Sequence, residues 1–257
     1  MVKLALALGC LAAAAFGDIR LDYSVREEGG RGGAYTVKVF CRPQGMRLES
    51  TRPGNGHVLI YREDKKVFWR LDPAKGTYSE IPESKIADYR LRLNAMKMML
   101  LERSAKIPED RKKMLIGKLQ ARFDGPRLRS LVPMQPGSGE TFQGLICLGY
   151  RQTIGSKKRI DAWFAPSAGL GIPRREFNDL TRMADGISSI SSEAAEVLRF
   201  RVNGDTLAPD VPVIIRSENT RGSRTEVRLT SSRVLGSQSS PTLDLPPGLK
   251  LVPLAVH

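Results

Sequence analysis

The sequence predicts an α+β protein: an antiparallel sheet with helices packed on one of its faces. Three observations point there. Apolar and polar residues alternate through most of 19–81. After Pro82 the apolar spacing changes to three and four residues and holds as far as Phe123. Alternation then returns near Glu140 and again near Val211, so strands flank the helical block on both sides.

Residues 1–17 stand apart. Lys3 makes a basic start, Leu4–Phe16 is an apolar run, and Ala15-Phe16-Gly17 meets the small-x-small cleavage rule. The stretch reads as a secretory signal peptide cut before Asp18. Its apolar run falls short of the ~20 residues that a spanning helix needs. Cys10, preceded by Gly9, raises a lipidated start as the alternative, but Ala7 stands where a lipobox prefers leucine and the apolar run continues past the cysteine. Residues 18–257 read as one domain, with no linker-like stretch and no repeat of solenoid period.

Ile19–Arg26 and Gly33–Arg42 form the first hairpin. Leu21, Tyr23 and Val25 alternate with Asp22 and Ser24; Tyr35, Val37, Val39 and Cys41 alternate with Thr36, Lys38 and Phe40. Arg42-Pro43-Gln44-Gly45 is a turn. Met46–Ser50, Val58–Arg62, Lys66–Leu71 and Thr77–Ile81 extend this into a meander. In its last link, Asp72–Gly76, proline presets φ and Gly76 takes the left-handed position that closes a hairpin. Within Lys66–Leu71, Val67, Trp69 and Leu71 point one way and Phe68 and Arg70 the other. Such a run needs more strands and an apolar cover for one face.

The cover follows. Ile86, Tyr89, Leu93, Met96 and Leu100 recur on one helical face, widened by Leu91, Met98, Met99 and Leu101. Ile107-Pro108-Glu109-Asp110 marks a break and a second start, and Asp124-Gly125-Pro126 a stop. The spacing thus predicts helices over Ser84–Ser104 and Pro108–Phe123. Met96, Met98, Met99 and Met114 gather here; methionine adapts to irregular partners, which suits a plain cover for the sheet and also a deformable lining for an apolar ligand. After a Pro/Gly-rich crossover, Leu128–Gly139, strands are expected at Glu140–Thr153 and Lys158–Ala165, the second carrying Trp163 and Phe164. Pro173–Ala184 reads as helix. Ser192–Val202 leans to helix ending near Asn203-Gly204, although Leu198, Phe200 and Val202 alternate. Val211–Ser217 and Thr225–Leu235 close the sheet. Leu243–Leu249 is an extended tail whose prolines suit a sheet edge or a strap.

Recognisable enzyme chemistry is absent from this sequence. The two histidines, His57 and His257, have no partner nearby in sequence, and no HExxH, CxxC, G-x-S-x-G, Walker A or dinucleotide fingerprint occurs. The pairs Glu27-Glu28 and Glu63-Asp64 fall in turns and read as solvated charge. No cofactor is implied. The net charge is +14, and losing Lys3 with the signal peptide leaves 14 − 1 = +13. A surplus spread along the chain suits an exported protein, with or without an anionic membrane surface as partner; no nucleic-acid module accompanies it. Cys41 and Cys147 remain in the mature chain, where export permits a disulfide; the sequence leaves a bridge and two separate buried thiols both open.

Taken together, Met46-Arg47-Leu48-Glu49, Val67–Asp72, Lys75-Gly76-Thr77-Tyr78, Ile107–Arg111, Gly144–Cys147 with Tyr150, Ala162–Ala165 and Leu245-Pro246-Pro247-Gly248 give a pattern covering most of the mature chain. It resembles the periplasmic outer-membrane lipoprotein carriers, the LolA/LolB-like superfamily, and within it uncharacterised exported bacterial relatives. The resemblance implies a curved antiparallel sheet forming an incomplete β-barrel, with helices packed on its concave side. It also implies a non-enzymatic binding protein of the cell envelope, for lipid or the acyl chains of a lipoprotein. The alternative is a structural or interaction protein with a filled core and a basic surface. On the first reading the ligand-contacting residues are Trp69, Met96, Met99, Leu100, Met114 and Trp163.

Overall fold

In a computed structural model, the residues described are 18–29, 33–54, 56–86, 95, 99, 102, 108, 132–134, 139–154, 158–188, 197–198, 201–202, 206–207, 210–218, 223–235 and 241–253. Six strands follow one another from the first: β1 (Asp18–Glu28), β2 (Ala34–Arg42), β3 (Gly45–Ser50), β4 (His57–Arg62), β5 (Val67–Asp72) and β6 (Thr77–Pro82). Each pairs antiparallel with the next, as the alternation predicts. Gly76 closes the last hairpin with φ +62°, as expected of the residue after Lys75. Gly45 is needed for a different reason: a Cβ there would lie 2.1 Å from the Tyr61 carbonyl oxygen.

Beyond the helical region the chain forms β7 (Val132–Pro133), β8 (Thr141–Phe142), β9 (Leu145–Ile146), β10 (Leu148–Ile154) and β11 (Lys158–Pro166). Then come helix α1 (Arg174–Ser188), β12 (Arg201–Val202), β13 (Thr206–Leu207), β14 (Asp210–Glu218), β15 (Arg224–Leu235) and β16 (Lys250–Leu251). Twelve strands make one sheet in the order β16-β6-β5-β4-β3-β2-β1-β15-β14-β11-β10-β7. The two ends, β16 and β7, do not pair, so the barrel is incomplete. β1 and β15 are bulged at Asp22/Tyr23, and β11 and β14 at Trp163/Phe164, which sharpens the local twist and bend.

Two details depart from the sequence reading. Glu140–Thr153 is not one strand: Gln143 and Gly144, both at positive φ, turn β8 tightly back into β9 before β10 begins. Ser192–Val202 does not stay helical to its end. Residue 197 is helical, but Arg201–Val202 pairs with Thr206–Leu207 as a two-stranded ribbon. The alternation of Leu198, Phe200 and Val202 was the better guide there. Of the predicted helices, residues 83–86, 95, 99 and 102 are helical, and the stretch 109–123 lies outside the described residues.

The sheet has an inner face, which carries α1, and an outer face. Ile19, Leu21, Tyr23 and Val25 of β1 point inward, and pairing carries the same side through Val39, Leu48, Leu59 and Phe68. These residues join Phe177, Leu180, Met183, Ala184 and Ile187 of α1 in the main core. A second, smaller core lies on the outer face: Ile60, Val67, Trp69 and Leu71, roofed by Leu243 of the C-terminal segment with Leu245 and Leu249 beside it. β5 is therefore buried on both sides.

Candidate functional site

The helix that defines the inner face is built simply. Pro173 precedes it and accepts the Phe177 N–H at 3.0 Å, and Glu176 complements the helix dipole in the first turn. Phe177, Leu180, Met183, Ala184 and Ile187 recur every three or four residues and lie against the strands. Gly186 stands among them. Glycine inside a helix costs about 1 kcal/mol relative to alanine. Its use here is steric: a Cβ on Gly186 would stand 3.0 Å from Cζ of Phe68 on β5.

Where α1 crosses the β4–β5 end of the sheet, a pocket of 410 Å³ opens. Tyr61, Phe68, Met183 and Gly186 line its apolar part, and Glu63, Lys66, Glu83 and Arg182 its charged part. Tyr61 and Phe68 are cross-strand neighbours and stack with ring centroids 4.5 Å apart. Phe68 is almost fully buried, so this wall is fixed by the sheet.

The mouth is a charge network. Glu63 receives Lys66 Nζ at 2.5 Å and Arg182 Nη1 at 2.6 Å, joining the β4–β5 turn to α1. Burial pushes the Glu63 carboxyl up, but hydrogen bonds from Lys66 and Arg182 outweigh it and help bring it down to about 2. The Tyr61 hydroxyl donates to Glu83 Oε2 at 3.2 Å. Burial pushes that hydroxyl well up, and Glu63 and Glu83 push the same way, so it stays a donor. The site offers a half-open recess of mixed lining, with two cations and two carboxylates around it. Among the described residues, no group of three His, Cys, Asp or Glu is placed to hold a metal ion, and no helix is long and apolar enough to cross a membrane.

The residues singled out from sequence are dispersed. Trp69 belongs to the outer-face core and Trp163, seven strands away in the sheet order, is buried in the main core cluster; neither lines this pocket. Trp69 lies under Leu243, donates Nε1–H to Glu80 at 2.9 Å, and has Lys65 Nζ 5.2 Å from its ring. Trp163 lies beside Met134, opposite Gly149, with the Arg216 guanidinium 5.0 Å from its ring. Met99 is helical and more than half exposed. Met96, Leu100 and Met114 lie outside the described residues. Cys41 and Cys147 are separate buried thiols, not a disulfide, and burial pushes both thiols up.

The pocket itself was missed from sequence. Glu63-Asp64-Lys65 reads as an ordinary turn, and nothing in the sequence places Arg182 over it. Two signals were present. Tyr61 and Phe68 occupy alternating positions on adjacent strands, and Gly186 interrupts a good helical face.

No protein-family model matches the chain, and no curated protein does. Among solved structures it is similar to an uncharacterized conserved protein from Thermus thermophilus. That likeness is at 7% identity and TM-score 0.45, over 93% of this chain and 91% of the other. It is also similar to a LolA superfamily protein from Nitrosomonas europaea, at 11% identity and TM-score 0.29, over 90% and 88%. A DUF1329 family protein from Desulfovibrio piger gives 13% identity and TM-score 0.29, over 86% and 87%. The architecture rests on the strand order: an incomplete, almost wholly antiparallel barrel holding a helix against its inner face, as the LolA-like resemblance implies.

Proposed function

We propose that the protein binds an amphiphile in the cell envelope without transforming it, taking the ligand's apolar part into the space between α1 and the β4–β6 end of the sheet. The observation that carries this reading is the 410 Å³ pocket with Phe68 and Met183 within and a charged mouth. Its size falls in the range of small-ligand sites, roughly 300–1,000 Å³. Each methylene buried contributes about 0.8 kcal/mol, so about six enclosed methylenes contribute about 5 kcal/mol. Arg182 and Lys66 are the cations available to an anionic head group, and their attraction weakens as salt rises. The Met-rich stretch, with Met96, Met99, Leu100 and Met114, is proposed as an adaptable cover for a longer chain. On the same reading residues 1–17 are a signal peptide and 18–257 act as one domain in the periplasm or outside the cell. The ligand is a lipid or the acylated end of a lipoprotein.

The test is to extract protein purified from its native envelope for bound lipid and to titrate it with a fluorescent acyl probe. Saturable binding is expected. Gly186→Ala puts a methyl against Phe68 and should weaken the probe several-fold while the fold is retained. Folded protein with no co-purified lipid and no saturable probe binding overturns the reading.

A further inference from the structure

We infer that the outer face of β3–β6 is a peptide-docking groove, occupied in cis by this chain's own C-terminal strap. Its occupant in trans is a segment of a partner protein, with leucines on both sides of an acidic residue and prolines following. The strap, Pro241–Pro253, is seated as such a ligand would be. Leu243 enters the apolar cluster of Ile60, Val67, Trp69 and Leu71. Gly45 makes room for it: a Cβ on Gly45 would come 3.1 Å from the Leu243 side chain. Leu245 and Leu249 rest on the same cluster. Further on, Lys250 N–H donates to the Gly76 carbonyl at 3.0 Å and Val252 N–H to the Tyr78 carbonyl at 2.8 Å, so the strap adds a parallel strand to the β6 edge. Strand addition to an open edge, with a side-chain pocket setting register, is a recurrent mode of peptide recognition. Between these two parts the segment bends at Leu243-Asp244 and turns at Pro247-Gly248, where Gly248 has φ +84°, and Pro246 and Pro247 keep this stretch out of the ladder.

Three arginines hold the strap, and one of them, Arg62, pairs with its acidic residue. Arg42 Nη2 donates to the Pro241 carbonyl at 2.7 Å, Arg47 Nη1 donates to the Thr242 carbonyl at 3.1 Å, and Arg62 pairs with Asp244. Each guanidinium also has an acidic partner on the sheet side. Arg42 is 3.5 Å from Asp18, Arg47 2.7 Å from Glu49 and Arg62 2.8 Å from Asp64. The groove therefore keeps its arginines in place when the strap lifts, and their remaining N–H groups are free to hold another backbone. The strap's hold is mostly polar and near the surface. Leu243 is its one fully buried residue, and the Asp244 side chain is 71% exposed. A tethered segment competes at an effective concentration that reaches the millimolar range for short linkers, so the wild-type groove is masked rather than absent.

The probe is a labelled peptide of sequence Pro241–Pro253, titrated by fluorescence anisotropy against full-length protein. Leu243→Ser in the protein loosens the cis strap and should tighten peptide binding at least tenfold over wild type. The same peptide carrying both L243S and D244K should bind at least tenfold more weakly. Should the L243S protein fail to fold, D244K at its exposed site loosens the strap instead. A folded, loosened variant that shows no saturable binding, or that binds a scrambled peptide equally well, overturns the inference. So does a dimer whose straps cross-link between copies, which would give the groove to a second copy of this chain.

Discussion

The two faces of β5 are both buried, and they are covered in different ways. The inner face is covered by a helix that commits five apolar side chains, each under 5% exposed, to the sheet. The outer face is covered by a strap that commits one buried apolar residue, Leu243, with arginines and two main-chain hydrogen bonds supplying the rest. Apolar burial is undirected and scales with area, so the helix is a structural element that the sheet requires. The strap's hold comes largely from polar groups that exchange against water at little net gain, so its removal leaves a sheet that is still paired.

That contrast can be broken in stages. Leu180→Ala, at a fully buried α1 position, should cost about 2–5 kcal/mol in global stability, read as a lower urea midpoint. If the loss were under 1 kcal/mol, α1 would be no more essential than the strap. Leu243→Ala should cost about 1–2 kcal/mol, because the strap can detach before the sheet unfolds. The Lys250 and Val252 amides should lose hydrogen-exchange protection, and Trp69 emission should move to the red. Loss of protection throughout β3–β6 would show instead that the strap holds the sheet. Arg182→Ala, at a half-exposed ion pair, should cost less than about 1 kcal/mol at neutral pH. Its clearest trace is in acid. Glu63 titrates well below its ordinary 4.5, near 2, so its stabilisation is complete above pH 4.5 and lost as pH falls toward 2. Removing Arg182 should flatten the stability curve across that window, and an unchanged acid limb would free Glu63 from this role.

The same contrast explains what could be read from the sequence. Alternation gave β1 to β6 to within two residues and separated the two sides of β5 correctly. It could not say which side faced the helix. Val67, Trp69 and Leu71 are the more apolar set, yet Phe68 is the residue beneath α1. Period two records sides, not curvature, and a strand buried on both faces has no polar side to break the tie. The apolar face of α1 was legible because a period of 3.6 has one stripe. The pocket was not, since Glu63 and Arg182 meet across 119 positions of chain. The tail's prolines announced a strap or an edge, and Leu243–Leu251 serves as both.

The place of β1 has a further consequence. It is the first strand, yet it sits in the middle of the sheet, between β2 and β15. Its hydroxyl partner Thr230 reaches back to the Asp22 carbonyl across 208 positions. Strands β1–β6 assemble from near neighbours as they are made, whereas the seam between β1 and β15 waits for almost the whole chain. Closing a loop of that length costs about 5 kcal/mol of chain entropy before any pairing repays it. The seam is thus the expected slow step of folding, to be read in stopped-flow refolding as a phase slowed by a weakening of the β1–β15 pairing. Until it forms, β1 presents a long, bare edge with Leu21, Tyr23 and Val25 beside it, open to any other strand that arrives first.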